Sequence, residues 1–377
     1  MKFTIPSIFA VITLCTISTV SLSGAQTPSK EIIHHNFEKG AEGWTSFGAS
    51  AKVSATQDAA NVKLSKGSLK FDYPIAKGAF SLMVLPTPLN TLTKAQSIQF
   101  WIRPDISSSF VLYLSEKDGG RYYASFAATA GKWQQVVLST SDFILGTDPT
   151  DPKDPNNKLD LDKVEAVSLM DLMQLLAQSP EPMVENFFQF KFGPRQILLN
   201  DFVISEAPVG NPLPAGTIDD FSRPQLSWFA LRLDSMQLHS GQPLDGAGVK
   251  VEYKEEAGRL TAIARRIAPG QLKGAEAITF KAASSKKVSL IFQIELIGGA
   301  KFNHTVDLPG DSMAHVVTVP FKGIPPSIDS PDPNADFSPE EVKQIILIDV
   351  SGISGTEQGA MTLWVGKVTY GKAASGK

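Results

Sequence analysis

The chain has 377 residues, 19% of them charged, and a formal net charge of −3. That length suggests two domains. Lysine and arginine are scattered, so no basic stripe is available to neutralise phosphates, which argues against a nucleic-acid reader.

The N-terminus reads as a signal peptide over 1–25. Lys2 supplies a positive charge, Ile5 to Val20 is mostly apolar, and Ser23-Gly24-Ala25 places small residues before the expected cut after Ala25. The apolar run is short and rich in Ser and Thr for a membrane anchor. A lipoprotein reading through Cys15 fails because Leu14 precedes it. Cys15 is the only cysteine, so the mature chain is expected to form no disulfide. No later segment reaches membrane-spanning length, and the product is read as secreted or periplasmic, with no membrane insertion after signal removal.

From there the pattern is all-β. Short runs rich in β-branched and aromatic residues recur between Gly, Pro, Asn and Asp: Ser97–Arg103, Phe110–Glu116, Arg121–Ala127, Gln134–Ser139 and Gln196–Ile204. Leu172–Gln178 suggests one short helix. Three prolines and two glycines within 206–216 read as a linker.

An internal repeat is the stronger signal. Phe37 and Trp44 match Phe221 and Trp228 at an offset of 184. Phe100 matches Phe280, and Val136-Val137 matches Val316-Val317, at 180. Phe143 matches Phe321, Asp154-Pro155-Asn156 matches Asp332-Pro333-Asn334, and Asp171 matches Asp349, at 178. Gly193 matches Gly359 and Phe202 matches Val368 at 166. The offset only steps down, as loop shortening between retained strands requires. The expectation is two tandem β-sandwiches, over 31–206 and 217–372, joined by 207–216. In each, the first and last strands should pair, as in a jelly roll.

The first copy resembles a carbohydrate-binding module of the galactose-binding-like superfamily. It is similar to the family-eleven modules and to domains of the complex-I-intermediate-associated-protein type. The residues carrying this are Phe37-Glu38, Gly43-Trp44, Gly67-Ser68-Leu69-Lys70-Phe71, Ile98 to Arg103, Gly131 to Leu138, Asp142-Phe143 and Leu199-Asn200-Asp201-Phe202. The likeness covers about 36–206, and more faintly about 218–371. It implies a jelly roll, frequently with a structural calcium, that binds sugar on a concave sheet face. The quoted motifs are mostly framework and specify fold better than ligand.

Alternation separates core from outer face. On the side opposite Phe100, Ile102, Leu112 and Phe126 fall Gln99, Trp101, Arg103, Tyr113, Arg121 and Tyr123. If their strands neighbour, these six form one aromatic and polar platform. A pyranose can lay its C–H face on a ring while Arg, Gln and Tyr bond its hydroxyls. The blander reading is that Trp101 and Tyr113 only cover the outer sheet, against a loop or the second domain. Trp44 and Trp133 read as framework. The second copy offers Thr279, Lys281, Gln293 and Glu295 on the matching strands, without a ring, and reads as a scaffold.

Glu38 and Asp201 are the candidate calcium ligands of the first copy, should their strands neighbour. Lys367 stands where Asp201 was and argues against an ion in the second. The Asp148–Asp162 stretch and its counterpart, Asp329–Asp336, lack the order of an EF-hand loop and read as solvated loops. The histidines lack zinc spacing, and no nucleophile elbow or phosphate loop occurs. Carboxylates at 116, 118, 171 and 185 have no visible pairing.

The expected function is therefore non-catalytic recognition of an extracellular polysaccharide or oligosaccharide by the first domain. The alternatives are a module binding another extracellular or envelope protein, and a jelly-roll enzyme acting on polysaccharide.

Overall fold

The protein is described here by a computed structural model covering residues 30–372, except 49, 149, 179–190, 211, 224, 233 and 356–358. The signal-peptide expectation and Glu185 lie outside the described residues.

The first copy runs through β1 (Glu31–His35), β2 (Thr45–Phe47), β3 (Lys52–Thr56), β4 (Ser68–Ile75), β5 (Leu82–Pro86) and β6 (Ser97–Pro104). It continues with β7 (Ser108–Glu116), β8 (Arg121–Ala128), β9 (Gln134–Ser139), β10 (Ile144–Leu145), β11 (Val164–Asp171) and β12 (Gly193–Ser205). The expected helix is α1 (Met173–Ala177), directly after β11. The second copy has β13 (Thr217–Asp219), β14 (Trp228–Leu231), β15 (Ser235–Gly241), β16 (Gly246–Glu255), β17 (Thr261–Arg266) and β18 (Ala277–Ser284). Then come β19 (Val288–Leu296), β20 (Lys301–Leu308), β21 (His315–Pro320), β22 (Val342–Asp349), α2 (Ser351–Ser354) and β23 (Gly359–Gly371). The described residues of 206–216 carry no strand or helix.

These strands make two tandem antiparallel sandwiches. In the first, one sheet has the order β3-β4-β12-β6-β9 with β1 added to β12, and the other β10-β8-β7-β11-β5-β2. In the second, β15-β16-β23-β18-β21 carries β13 on β23, and faces β20-β19-β22-β17-β14. Strand for strand the orders coincide, apart from β10. First and last strands pair in both copies, β1 with β12 and β13 with β23.

Period-two burial explains why each pair of sheets closes. β6 turns Ile98, Phe100 and Ile102 inward, and β7 turns Phe110, Leu112 and Leu114 to meet them. Phe100 stacks on Phe202 of β12 at 5.7 Å and meets Phe126 of β8 edge-on at 5.8 Å. Each such ring contributes about 1.5–3 kcal/mol by leaving water.

Repeated devices pin the framework. Trp44 Nε1 donates to His35 Nδ1 at 3.1 Å, and its counterpart Trp228 donates to Asp219 at 2.9 Å. Tyr73 donates to buried Asp171 at 2.7 Å, as Tyr253 does to Asp349 at 2.5 Å. Phe37 and Phe221 share a left-handed backbone, φ 61° and 55°. Beside Phe37 only glycine fits at 67, since a Cβ there would lie 2.3 Å from the Phe37 carbonyl.

The two copies also touch. β14 lies against β7 and β8. Ser109 Oγ accepts from the Ala230 amide at 2.8 Å and donates to its carbonyl at 3.0 Å. Asp148 of the first copy pairs with Arg266 at 3.4 Å and Lys343 at 3.1 Å of the second. Arg223 pairs with Asp142.

Candidate functional site

Three of the expected platform residues share one face. Gln99, Trp101 and Arg103 project outward from β6, alternating with its buried core residues. β9 brings Gln135 opposite Trp101, and β12 runs along the other edge of β6. A bulge between Asn200 and Val203, with Asp201 at φ 56°, breaks the β6–β12 register. Beside the Trp101 ring this leaves a polar cavity of about 180 Å³, lined by Gln99, Gln135, Asp201, Glu31 and Ser205. That is small next to the ~300–1,000 Å³ of typical small-molecule sites. It would seat part of a ligand whose remainder lies on the sheet.

Charged groups frame this face. His34 Nε2 lies 2.8 Å from Asp201 Oδ1 and Nδ1 3.0 Å from Glu31 Oε2, and the protonated ring would donate to both. The bond to Asp201 is the main force holding the imidazole pKa above its usual value, against partial burial. Lys63 Nζ sits 4.9 Å from the Trp101 ring centre, and the Arg103 guanidinium 5.1 Å from that of Trp133. Arg103 also donates to Ala60 O and Asn61 Oδ1, which ties it to the turn before β4.

The other three expected residues lie elsewhere, which corrects the single platform. Tyr113, Arg121 and Tyr123 stand on β7 and β8, in the opposite sheet. Both sheets turn their inner faces to one core, so the two outer faces point in opposite directions and the six residues do not converge. The tyrosine rings meet edge-on at 5.8 Å, with Arg121 over Tyr113 at 5.8 Å. The second copy covers Tyr123. Arg266 lies 5.3 Å from the Tyr123 ring centre, and Tyr123 is only 7% exposed. Burial pushes the Tyr123 phenol up to about 12 and that of Tyr113 higher still.

Glu38 and Asp201 have separate engagements. Glu38 Oε1 accepts from the Lys66 amide at 3.2 Å, while Asp201 accepts from His34. These contacts make both carboxylates members of hydrogen-bond networks. Among the described residues no group of three or more His, Cys, Asp or Glu gathers in a metal-binding arrangement.

The acidic loop of the first copy is less solvated than expected, whereas Asp329–Asp336 of the second is mostly exposed, as expected. Asp148 anchors the second copy, Asp154 accepts from Tyr122, and the Asp160 amide donates to buried Glu116. In the second copy Asp329 pairs with Lys301 at 2.7 Å. Of the four carboxylates without a visible pairing, Asp171 is a buried acceptor for Tyr73 and Ser108. Asp118 pairs with Lys163 at 2.9 Å.

Sequence reasoning missed Gln135, Ser205, Glu31 and His34, which the fold brings to this face. Gln135 carries a readable signal, since it alternates with buried Val136 and Leu138. Its place beside Trp101 follows only from the β6–β9 pairing.

No family profile matches the chain, and no curated protein matches it. Solved structures do overlap it. One is a family 11 carbohydrate-binding module from Clostridium thermocellum, in complex with a β-1,3-1,4-mixed-linked tetrasaccharide. It is 14% identical over 45% of this chain and 93% of its own, with a TM-score of 0.33. Another is the N-terminal CBM22-1-CBM22-2 tandem domain of Xyn10C from Paenibacillus barcinonensis. It is 14% identical over 93% of this chain and 100% of its own, with a TM-score of 0.29. These are loose overlaps, and the fold assignment above rests on the sheets themselves.

Proposed function

We propose that the first copy recognises a carbohydrate on the outer face of its β1-β12-β6-β9 sheet, without catalysis, and that the second copy is its scaffold. The observation that carries this reading is the partly exposed Trp101 ring beside a cavity lined by amide and carboxylate groups. A sugar ring needs both: an aromatic face for its C–H bonds, and fixed partners for its hydroxyls. Gln99 and Gln135 each offer a donor and an acceptor, and Asp201 and Glu31 accept. In the second copy Lys281 holds the position of Trp101. The reading fits a secreted or periplasmic protein that meets polysaccharide outside the cytoplasm.

The test is a glycan screen on the chain and three variants. Trp101→Ala is expected to abolish detectable binding, with an unfolding midpoint close to that of the parent, because an outward-facing ring contributes little to the core. Gln135→Ala is expected to weaken binding, and Lys281→Ala to leave it unchanged. Retained affinity in Trp101→Ala would sink the assignment.

A further inference from the structure

Between the two copies lies a larger cleft, of about 460 Å³. Its cations are Lys191 and Arg195 of the first copy and Arg232 and Lys254 of the second; its acids are Asp234 and Glu256. Glu256 is already engaged by Arg232 at 2.9 Å and by Lys254 at 3.4 Å. The remaining balance is positive.

Arg195 is the unusual member. It lies in the first residues of β12, is only 6% exposed, and donates from Nη2 to the Lys191 carbonyl at 2.6 Å. Among the described residues its Nη1 has no hydrogen-bond partner. The charge of buried Asp171 acts on Arg195, but the Asp171 oxygens are taken up by Tyr73, Ser108 and the Met173 amide. A buried cation without a bonded counter-charge is costly, and so is an unmade buried hydrogen bond. Lys191, exposed at the same cleft, forms no ion pair among the described residues.

We infer that this interdomain cleft binds a small molecule through an oxyanion, with Lys191 and Arg195 as the charges that receive it. The oxyanion is a carboxylate or a phosphate, groups that an arginine or lysine binds by charge-assisted hydrogen bonds. The site lies on the other side of the first sandwich from the Trp101 face, and the inference does not depend on the carbohydrate reading. Because both copies contribute to the cleft, its ligand would also bridge them.

Titration calorimetry on the whole chain tests this with three probes: glucuronate, inorganic phosphate, and glucose as the neutral control. The expected result is salt-sensitive binding of at least one anion and none of glucose at this site. Arg195→Gln is expected to weaken that binding about tenfold or more, the usual cost of a lost charge-assisted bond. Lys191→Ala is expected to weaken it about threefold, as befits an exposed charge. Lys191→Ala changes only an exposed side chain, so it decides the matter alone if Arg195→Gln does not fold. Preference for glucuronate would assign the site to sugar acids, and equal binding of phosphate to the oxyanion alone; both support the inference. No anion binding at millimolar concentration, or unchanged affinity in Lys191→Ala with any folded Arg195→Gln, overturns it.

Discussion

The two copies share an interior and differ on their faces. Tyr73 and Asp171 recur as Tyr253 and Asp349, each pair joining the two sheets of its sandwich through one buried hydrogen bond. Outward positions diverge: at an offset of 180, Trp101 becomes Lys281, Tyr113 becomes Gln293, and Tyr123 becomes Asn303. Gln293 and Asn303 even retain a cross-strand contact, now an amide hydrogen bond of 3.1 Å in place of two rings. Interior residues answer to neighbours in both sheets, so a change there is felt by the whole sandwich. Outward residues answer mainly to what the face meets.

Breaking the shared interior should give the largest effect. Asp171 accepts from Tyr73, Ser108 and the Met173 amide, whereas Asp349 accepts from Tyr253 and the Ser351 amide. Asp171→Ala is expected to cost about 2–4 kcal/mol, since each buried donor left unpaired costs ~1–3 kcal/mol. Asp349→Ala, with one donor fewer, is expected to cost less. Urea unfolding of both variants measures the difference. A larger loss in Asp349→Ala would mean that the two interiors are not held in the same way.

The shared interior was legible in the sequence, and the faces were not, for a physical reason. Alternation tells which side of a strand meets the core, and it correctly put Gln99, Trp101 and Arg103 outward from β6. It does not tell which sheet a strand joins. The chain crosses the sandwich between β6 and β7, so residues that are close in sequence, Trp101 and Tyr113, end on opposite outer faces. Cover by the second copy was equally hidden, because Arg266 and Lys343 become partners of Tyr123 and Asp148 only through docking. The repeat was readable because a buried landmark such as Trp44 or Asp171 is replaced in the second copy by the same residue type.

The docked faces can be separated by charge. Burial alone would raise the Asp148 pKa, but Arg266 and Lys343 outweigh it and hold it below the usual 3.8. A depressed carboxylate pKa contributes stability above the unfolded value, and that contribution is lost as pH falls through the folded one. Asp148→Asn is therefore expected to lower the melting temperature at pH 6 and to match the parent at pH 2. The loss should be about 1 kcal/mol or less, because Asp148 is partly exposed and its ion pairs are screened. Equal melting of variant and parent at pH 6 would show that the copies do not depend on this contact.

An effect of similar size has the opposite sign, and it falls where the copies differ inside. Glu116, at the end of β7, is replaced at the offset of 180 by Leu296, buried at the end of β19. The first copy thus buries a carboxyl where the second buries a methyl-bearing side chain. The Glu116 pKa is raised to about 7, chiefly by burial; the Asp160 amide opposes the shift, and nearby Asp154, Asp160 and Asp118 add to it. A raised carboxylate pKa means that the fold takes up a proton. The favourable contribution is complete below the unfolded value, near 4.5, and disappears as pH rises to about 7. Glu116→Gln stays neutral at every pH and keeps an oxygen to accept from the Asp160 amide. It is expected to melt with the parent at pH 4 and above it at pH 8, by roughly 2–4 °C, the shift that ~1 kcal/mol makes in a domain of this size. Glu116→Leu, which copies the second domain, loses that acceptor and should gain less than Glu116→Gln. Thermal melts across this range decide it: a variant advantage that is the same at pH 4 and pH 8 would show that the carboxyl is not the strained group, and that the two copies differ here only in packing.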